Sequence, residues 1–334
     1  MVTATFWVSA SKFFHVGGQY DTQPKKTTRS GTQMQRLPNT ETITGVIVTF
    51  NPDMEMLRRL IAAVGPQLSS LLIVDNGSHT DVAAGIKNTD TFEVVLLGQN
   101  FGIAHAQNIG IESARTRGSK YVLLLDQDSI PSPDMVATLL AALISKQVDG
   151  QNVACVGPRY TDSRTEDVAP FVKLEGLRLT RVECIDKDNV VAVDFVIASG
   201  CLIPMSTIDA VGLMRDEMFI DYVDIEWGLR AQNSGYLSYG VCAATMEHAL
   251  GDQSVKFGRR HIPVHSPLRH YYHIRNAIWL SKQSWISAQW KIVLIWRIVR
   301  QWLFFSIMTS PRLKHAQMMS LGIVHGLVNR MGKR

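Results

Sequence analysis

A chain of 334 residues, 46% hydrophobic and 19% charged, is long enough to bury a sizeable core as one large α/β domain or two smaller ones, and it is neither fibrous nor low in complexity. The 34 Lys and Arg residues against 29 Asp and Glu leave a formal charge of +5, gathered at the two ends, which points to an anionic ligand or surface and away from bulk nucleic-acid binding. Cys155, Cys184, Cys201 and Cys242 lie far apart with no Cys-x-x-Cys pair, so a reduced, cytosolic compartment is expected.

Residues 1–40 place Lys12, Lys25, Lys26, Arg29 and Arg36 among Thr, Ser and Gln with little apolar periodicity and read as a disordered tail. The stretch from Phe6 to Val16 is too short and polar for a spanning helix and lacks the order of a secretory signal. Met34 is a candidate for the true first residue. Gly45 to Phe50 is a β-branched run stopped by Asn51-Pro52, and Leu57, Leu60, Ile61, Val64 and Leu68 then fall on one helical face. Leu71 to Val74 is a second buried strand, closed by Asp75-Asn76-Gly77-Ser78. Val94 to Leu97 is a third, followed by a helix with Ile103, Ala106, Gly110 and Ala114 on one side. Tyr121 to Leu125 is the fourth strand. Ser132-Pro133-Asp134 caps a helix bearing Val136, Leu139, Leu140 and Leu143. Strands alternating with helices predict an α/β fold on a mostly parallel sheet.

The fourth strand runs straight into Asp126-Gln127-Asp128. In extended backbone the two carboxylates share a side, and a pair of that kind suits a hard divalent cation that fills its shell with water and phosphate oxygens. Parallel strands end on one edge, so Thr49, Asn51 and Asp75 would line the same crevice, a place where open α/β sheets bind nucleotides. An Asx turn closing the second strand accounts for Asp75 equally well.

Val48-Thr49-Phe50-Asn51-Pro52, Val74 to Ser78, Asn100-x-Gly102-x-Ala104-x-Ala106-x-Asn108-x-Gly110 and Asp126-Gln127-Asp128 stand in the order found in family-2 glycosyltransferases, which this chain resembles from about Thr44 to Ile278. Leu124 to Ser129 is similar to the bacterial rhamnosyltransferases of surface polysaccharides and rhamnolipids. The resemblance implies a GT-A-like nucleotide-diphospho-sugar transferase fold over residues 41–262, with a C-terminal helical, membrane-proximal extension over 263–334. It implies that Asp75 holds the pyrimidine base, that Thr49 and Asn51 border it, that Asp126 lies near the ribose and diphosphate, and that Asp128 binds Mg2+ or Mn2+.

In the second half, Phe195 to Ile203 is a strand-like run broken by Ser199-Gly200, where a bulge or a ligand approach is expected. Asp221, Asp224 and Glu226 then crowd among large apolar residues, a setting that raises a carboxylate toward the range of a general base. A helix N-terminus rich in acids is the plainer reading. The stretch resembles the family's acidic segment and assigns the catalytic base to Asp224, the second acid to Glu226 and the arginine to Arg230. Val223 stands where the family carries an acid, so Asp221 and Asp224 both remain candidates. By the same resemblance His248 reaches the metal or the diphosphate. Arg269-His270-Tyr271-Tyr272-His273-Ile274-Arg275-Asn276 fits the rhamnosyl pattern, with Arg269 and Arg275 as grips for diphosphate oxygens.

Trp279, Trp285, Trp290, Trp296 and Trp302, interleaved with Lys282, Lys291, Arg297 and Arg300, describe a helix lying in a membrane interface; packing of the rings on the catalytic domain is the alternative. The expected activity is inverting transfer of rhamnose from dTDP-rhamnose to a hydroxyl of a lipid-linked saccharide or glycolipid at the cytoplasmic face of the membrane, with no nucleic-acid partner. A sugar-phosphate nucleotidyltransferase should carry a basic, Gly-rich loop where Phe50-Asn51-Pro52-Asp53 stands, and a dehydrogenase needs a Gly-x-Gly-x-x-Gly turn that no strand here leads into. A non-catalytic surface-binding protein of the same fold is the remaining rival.

Overall fold

The structure is a computed structural model describing residues 42–86, 92–162, 168–186, 189–248, 254–257, 260–263 and 265–334; of 162, 248, 254–257 and 260–263 it describes the backbone only. The expected tail over residues 1–40 lies outside the described residues.

β1 (Ile43–Thr49) is buried along its whole length. Its period-two side chains serve two cores: Val46 and Val48 face one, Ile43 and Ile47 the other. α1 (Met54–Val64) follows, with the Asp53 carboxylate capping the amides of Glu55 and Met56. β2 (Ser70–Asp75), the short α2 (Val82–Gly85), β3 (Phe92–Leu96), α3 (Ile103–Thr116) and β4 (Tyr121–Asp126) complete the first half. β1 pairs in parallel with β2 on one side and with β4 on the other, and β3 extends the sheet beyond β2. Helix α1 and α4 (Met135–Val148), which follows the short β5 (Ser129–Pro131), cover one face; α3 covers the opposite one.

β6 (Val153–Asp162), the hairpin of β7 (Phe171–Glu175) and β8 (Arg178–Val182), β9 (Val190–Val193), β10 (Cys201–Pro204), α5 (Met205–Val211), α6 (Val223–Asn233) and β11 (Leu237–His248) build the second half. The sheet runs β3-β2-β1-β4-β10-β6-β11-β5, with β9 paired to β11. The expected mostly parallel sheet holds from β3 to β4 and returns where β11 runs parallel to β6. β10 is antiparallel to both β4 and β6, and β5 and β9 are antiparallel to β11, so the sheet is mixed. An apolar run buried on both faces reads the same in either direction, which is why the pattern did not reveal the reversal. Only the last residues of the Phe195–Ile203 run form a strand. A separate hairpin joins β12 (Ser254–Phe257) to β13 (Arg260–Pro263).

α7 (Pro267–Ser281), α8 (Ala288–Met308) and α9 (Arg312–Leu327) close the chain. Ile274, Ala277, Ile278, Leu280, Trp290 and Leu294 belong to the same core as Val48, Leu72 and Leu124. The helical extension therefore shares the interior of the sheet. The interfacial reading of the five tryptophans needs correction: Trp279 and Trp290 are buried, as is Arg297, and of the five only Trp296 is exposed. Trp290 even donates its indole N–H to Asp194 Oδ2 at 3.0 Å. Among the described residues no helix is long and apolar enough to cross a membrane. The expected reduced compartment did not foreshadow a bridge, yet Cys184 and Cys242, 58 residues apart, are joined as a disulfide. The β9–β11 pairing brings these distant positions together, and spacing alone cannot show that.

Candidate active site

The register of β1 sets Thr49 opposite Asp75 and Val48 opposite Asp126, so the polar strand ends meet on one edge as expected. Asp75 is buried, and its carboxylate accepts from Thr49 Oγ1 at 2.9 Å, from the Ser78 amide at 3.0 Å and from the Ser78 hydroxyl. Asn51, with φ of 48°, ties the neighbouring loop down by accepting from the His79 amide at 2.8 Å. The next clasp was not legible beforehand: Asn76 Oδ1 accepts from the Phe101 amide, while its Nδ2 donates to Asn100 Oδ1. Gly102 has φ of 96° and packs against Phe219 O, which accepts from the Ile103 amide at 2.7 Å. A side chain at 102 would meet both a left-handed backbone and that carbonyl.

Gln127, the middle residue of the Asp-Gln-Asp run, reaches across to β1 and accepts from the Phe50 amide at 2.8 Å. Ser199 Oγ accepts from the Asp126 amide at 3.1 Å and lies 2.7 Å from Ser129 Oγ, while the Gly200 amide donates to Leu124 O at 2.8 Å. The Ser-Gly break thus holds the end of β4 in place. Its sequence signal was the interruption of an apolar run. Asp126 is buried and Asp128 half-buried. His248 ends β11 with its backbone opposite Ser129, one residue beyond Asp128, and its side chain lies outside the described residues. No group of three or more His, Cys, Asp or Glu side chains suited to an ion occurs among the described residues. The donor chemistry does fit: the carboxylates of Asp126 at the end of β4 and of Asp128 in the turn after it are hard oxygen donors, suited to a divalent ion that completes its shell from diphosphate and water.

Facing this edge is the acidic segment. Phe219, Asp221 and Tyr222 have φ of 64°, 64° and 65°, a left-handed run of non-glycines that persists only when its surroundings enforce it. Asn276 Nδ2 does so by donating to the carbonyls of Met218, Ile220 and Asp221 at 3.0, 2.8 and 2.8 Å. Asp224 then enters the first turn of α6, its Oδ1 accepting from the Ile225 amide at 2.9 Å, while Oδ2 is buried with no partner among the described residues. Burial, with the like charges of Asp126 and Asp221, pushes its pKa up to about 7. Asp224 lines a small pocket of ≈ 10 Å³ together with Leu124, Cys155, Cys201 and Trp227. Burial alone would raise Asp221 as well, but Arg269, 3.2 Å away, together with His273 and His265 outweighs it and holds the pKa below the ordinary value.

Arg275, expected at the diphosphate, and Arg230, expected as the motif's arginine among the nucleotide-sugar-binding residues, are both committed elsewhere, which corrects those two expectations. Arg230 grips Glu226 through Nε and Nη2 at 2.8 and 3.0 Å and the carbonyls of Val211 and Leu213, locking α6 onto the loop after α5. Arg275 is fully buried, donating to Gly332 O, Glu217 O, Met218 O and Asn276 Oδ1. Guanidiniums that spend their fork on backbone carbonyls position the loop and are not open to a ligand. Arg269, the third candidate, pairs with Asp221.

A nucleotide-type sheet edge with strand-end carboxylates, opposed by a buried acid of raised pKa, is the arrangement that a nucleotide-sugar transferase requires. The fold agrees: GalNAc-T7 with UDP, GalNAc and Mn2+ superposes with a TM-score of 0.55 at 12% identity, over 87% of this chain and 56% of that one. S. aureus TarS 1-349 in complex with UDP-GlcNAc gives 0.55 at 11% identity, over 86% and 82%. Residues 44–203 match Glycosyl transferase family 2, and the dTDP-rhamnosyl transferase RfbF of Shigella flexneri is 34% identical over 244 residues, covering 72% of this chain and 80% of that protein. The chain belongs to glycosyl transferase family 2 and is a glycosyltransferase.

Proposed function

We propose that the protein transfers L-rhamnose from dTDP-rhamnose, with inversion, to a hydroxyl of a lipid-linked saccharide or glycolipid. The observation that carries the chemistry is Asp224: a buried carboxylate with an unpartnered Oδ2 and a pKa of about 7, close enough to Asp126 for their charges to interact. In this reading Oδ2 takes the acceptor's hydroxyl proton as that oxygen bonds to the anomeric carbon, while the bond from that carbon to the diphosphate breaks and dTDP leaves. Asp75, oriented by Thr49 and Ser78, holds the pyrimidine; Asn51 borders it, and Asp126 faces the ribose and diphosphate. Asp128, with His248, would hold Mg2+ or Mn2+, and a bound ion would supply Lewis-acid stabilisation of the departing diphosphate. The donor sugar follows the activity named for the Shigella relative, which spans most of this chain. The lipid acceptor rests on the family resemblance, and placement at the cytoplasmic leaflet follows from that acceptor. Cysteine content does not support that placement, because a Cys184–Cys242 bridge is uncommon in a reducing compartment.

The test is calorimetry of the full chain with dTDP-rhamnose beside UDP-glucose, UDP-GlcNAc and GDP-mannose, with and without Mg2+ or Mn2+. Metal-dependent binding of dTDP-rhamnose that Asp128→Ala abolishes supports the reading. Preference for a UDP- or GDP-sugar, or full affinity in chelator, overturns it.

A further inference from the structure

Single exposed apolar side chains are ordinary, but a continuous row is not. On α8, Ile292, Ile295, Trp296, Val299, Leu303 and Ile307 are 53, 45, 64, 44, 49 and 59% exposed. Their spacing of +3, +4, +7, +11 and +15 from the first places them on one face, a strip ~22 Å long at 1.5 Å per residue. The opposite face, with Trp290, Val293, Leu294, Ile298 and Phe305, is inside the protein, so the outward row contributes nothing to the core. Just past α8, Leu313 is 71% exposed between the exposed Arg312 and Lys314.

What covers this strip is indicated by charge. Residues 253–334 contain fourteen of the chain's 34 Lys and Arg, of which Arg275 and Arg297 are buried, and none of its 29 acids. A second copy would bring one acid-free, basic segment against another, which like-charge repulsion disfavours. An apolar row flanked by cations and free of carboxylates matches a bilayer surface carrying anionic headgroups. We infer that the outward face of α8 seats the enzyme on an anionic membrane, with Ile295, Trp296 and Val299 at headgroup depth. This deepens the proposed lipid-acceptor reading and rests on it for its purpose. The geometry links the strip to the base: Gln301 of α8 contacts His273 Nε2 at 3.1 Å, and the His273 ring meets Tyr222, two residues before Asp224, with centroids 4.8 Å apart. One helix therefore separates the membrane face from the catalytic segment.

The experiment measures co-sedimentation of the full chain with phosphatidylglycerol–phosphatidylcholine vesicles and with phosphatidylcholine alone, at low and high salt. The comparison variants are Ile295→Ser/Trp296→Ser/Val299→Ser and, should that triple unfold, the single changes Trp296→Ser and Leu303→Ser. The expected result is binding that needs phosphatidylglycerol, weakens with salt, and falls at least about tenfold in the variants, with melting temperature and donor affinity unchanged. Undiminished binding by the variants overturns the inference, as does absence of binding by the native chain. So does a dimer seen by light scattering that the variants dissociate while vesicles are ignored, since the strip is then a self-interface. Rhamnosyl transfer to a water-soluble acceptor, assayed separately, distinguishes the two readings. Transfer with vesicle binding indifferent to the strip sinks the docking surface alone, and strip-dependent binding without transfer sinks the donor reading alone.

Discussion

Asp221 and Asp224 lie three residues apart, one before α6 and one in its first turn, yet their carboxyls are driven in opposite directions. Asp221 has a guanidinium 3.2 Å away and sits below its ordinary pKa, whereas Asp224 has no cation beside it among the described residues and rises to about 7. A base must hold a proton weakly enough to release it and strongly enough to take it, and only the second carboxyl is poised that way near neutral pH. The arrangement favours Asp224 in the choice that the motif left open.

Asp224→Asn should leave donor affinity within a few-fold and lower turnover by ~10²–10⁴-fold. Native turnover should rise as pH passes through about 7, because the carboxylate form is the base. The stability sign is opposite. With its folded pKa raised, the native state binds the extra proton, so the stability from this group is present at low pH and is lost as pH rises from the ordinary carboxylate range through about 7. Without donor, the Asn variant should therefore melt higher than the native chain at pH 8 and no higher at pH 4. Turnover retained by Asp224→Asn but lost by Asp221→Asn would move the base to Asp221.

Arg269→Met leaves Asp221 buried without its main counter-charge. Removing one partner of a buried pair costs ~3–5 kcal/mol, so a large drop in melting temperature at pH 7 is expected. The double change with Asp221→Asn should recover part of it. A single variant that melts like the native chain would show that the pair is dispensable.

Asn276→Ala removes the donor to the Ile220 and Asp221 carbonyls in the left-handed segment before Asp224, while Met218 O keeps Arg275 Nη2. At ~1–3 kcal/mol for each buried group left unsatisfied, both stability and kcat should fall, with a smaller change in donor affinity. Steady-state kinetics beside a thermal melt read this out. Unchanged kcat in a folded variant would mean that the run holds itself.

Burial, with weaker contributions from neighbouring histidines, depresses His270 to about 2, and burial likewise depresses His273 to about 3. Both stay neutral in the folded protein, while the unfolded chain takes up protons below the usual imidazole value. Stability from these groups is therefore full at pH 7 and above and is lost as pH falls through that value, at ~1.4 kcal/mol per pH unit for each. Melting temperature should drop between pH 7 and pH 5, and His270→Phe should flatten the slope. A slope unaffected by the substitution would place the acid lability elsewhere.

The first half of the fold was legible because each apolar run was bounded by a strong breaker and each strand end carried its polar residues in sequence. Thr49 beside Asp75 and the edge shared with Asp126 followed from parallel register alone. The reversal at β10 was hidden, since direction leaves no mark on a doubly buried strand. Arg230 and Arg275 were misread because a guanidinium that serves carbonyls and one that serves phosphate have the same composition around them; only their partners differ. Trp290 misled for a related reason. Its indole N–H finds Asp194, 96 residues earlier, and no local pattern reports a contact at that separation.

The carbonyls of residues 217, 218, 220 and 221 are held by two adjacent side chains, Arg275 and Asn276, more than fifty residues later in the chain. For anyone recombining this enzyme with a relative to change its acceptor, that fixes where a crossover can go. A splice between the acidic segment and α7 would hand the loop to a foreign brace, and the hybrid would lose its base while keeping every residue of its motif. Exchanging residues 215–334 as one block keeps loop and brace from the same parent, and leaves the nucleotide edge of the sheet to the other.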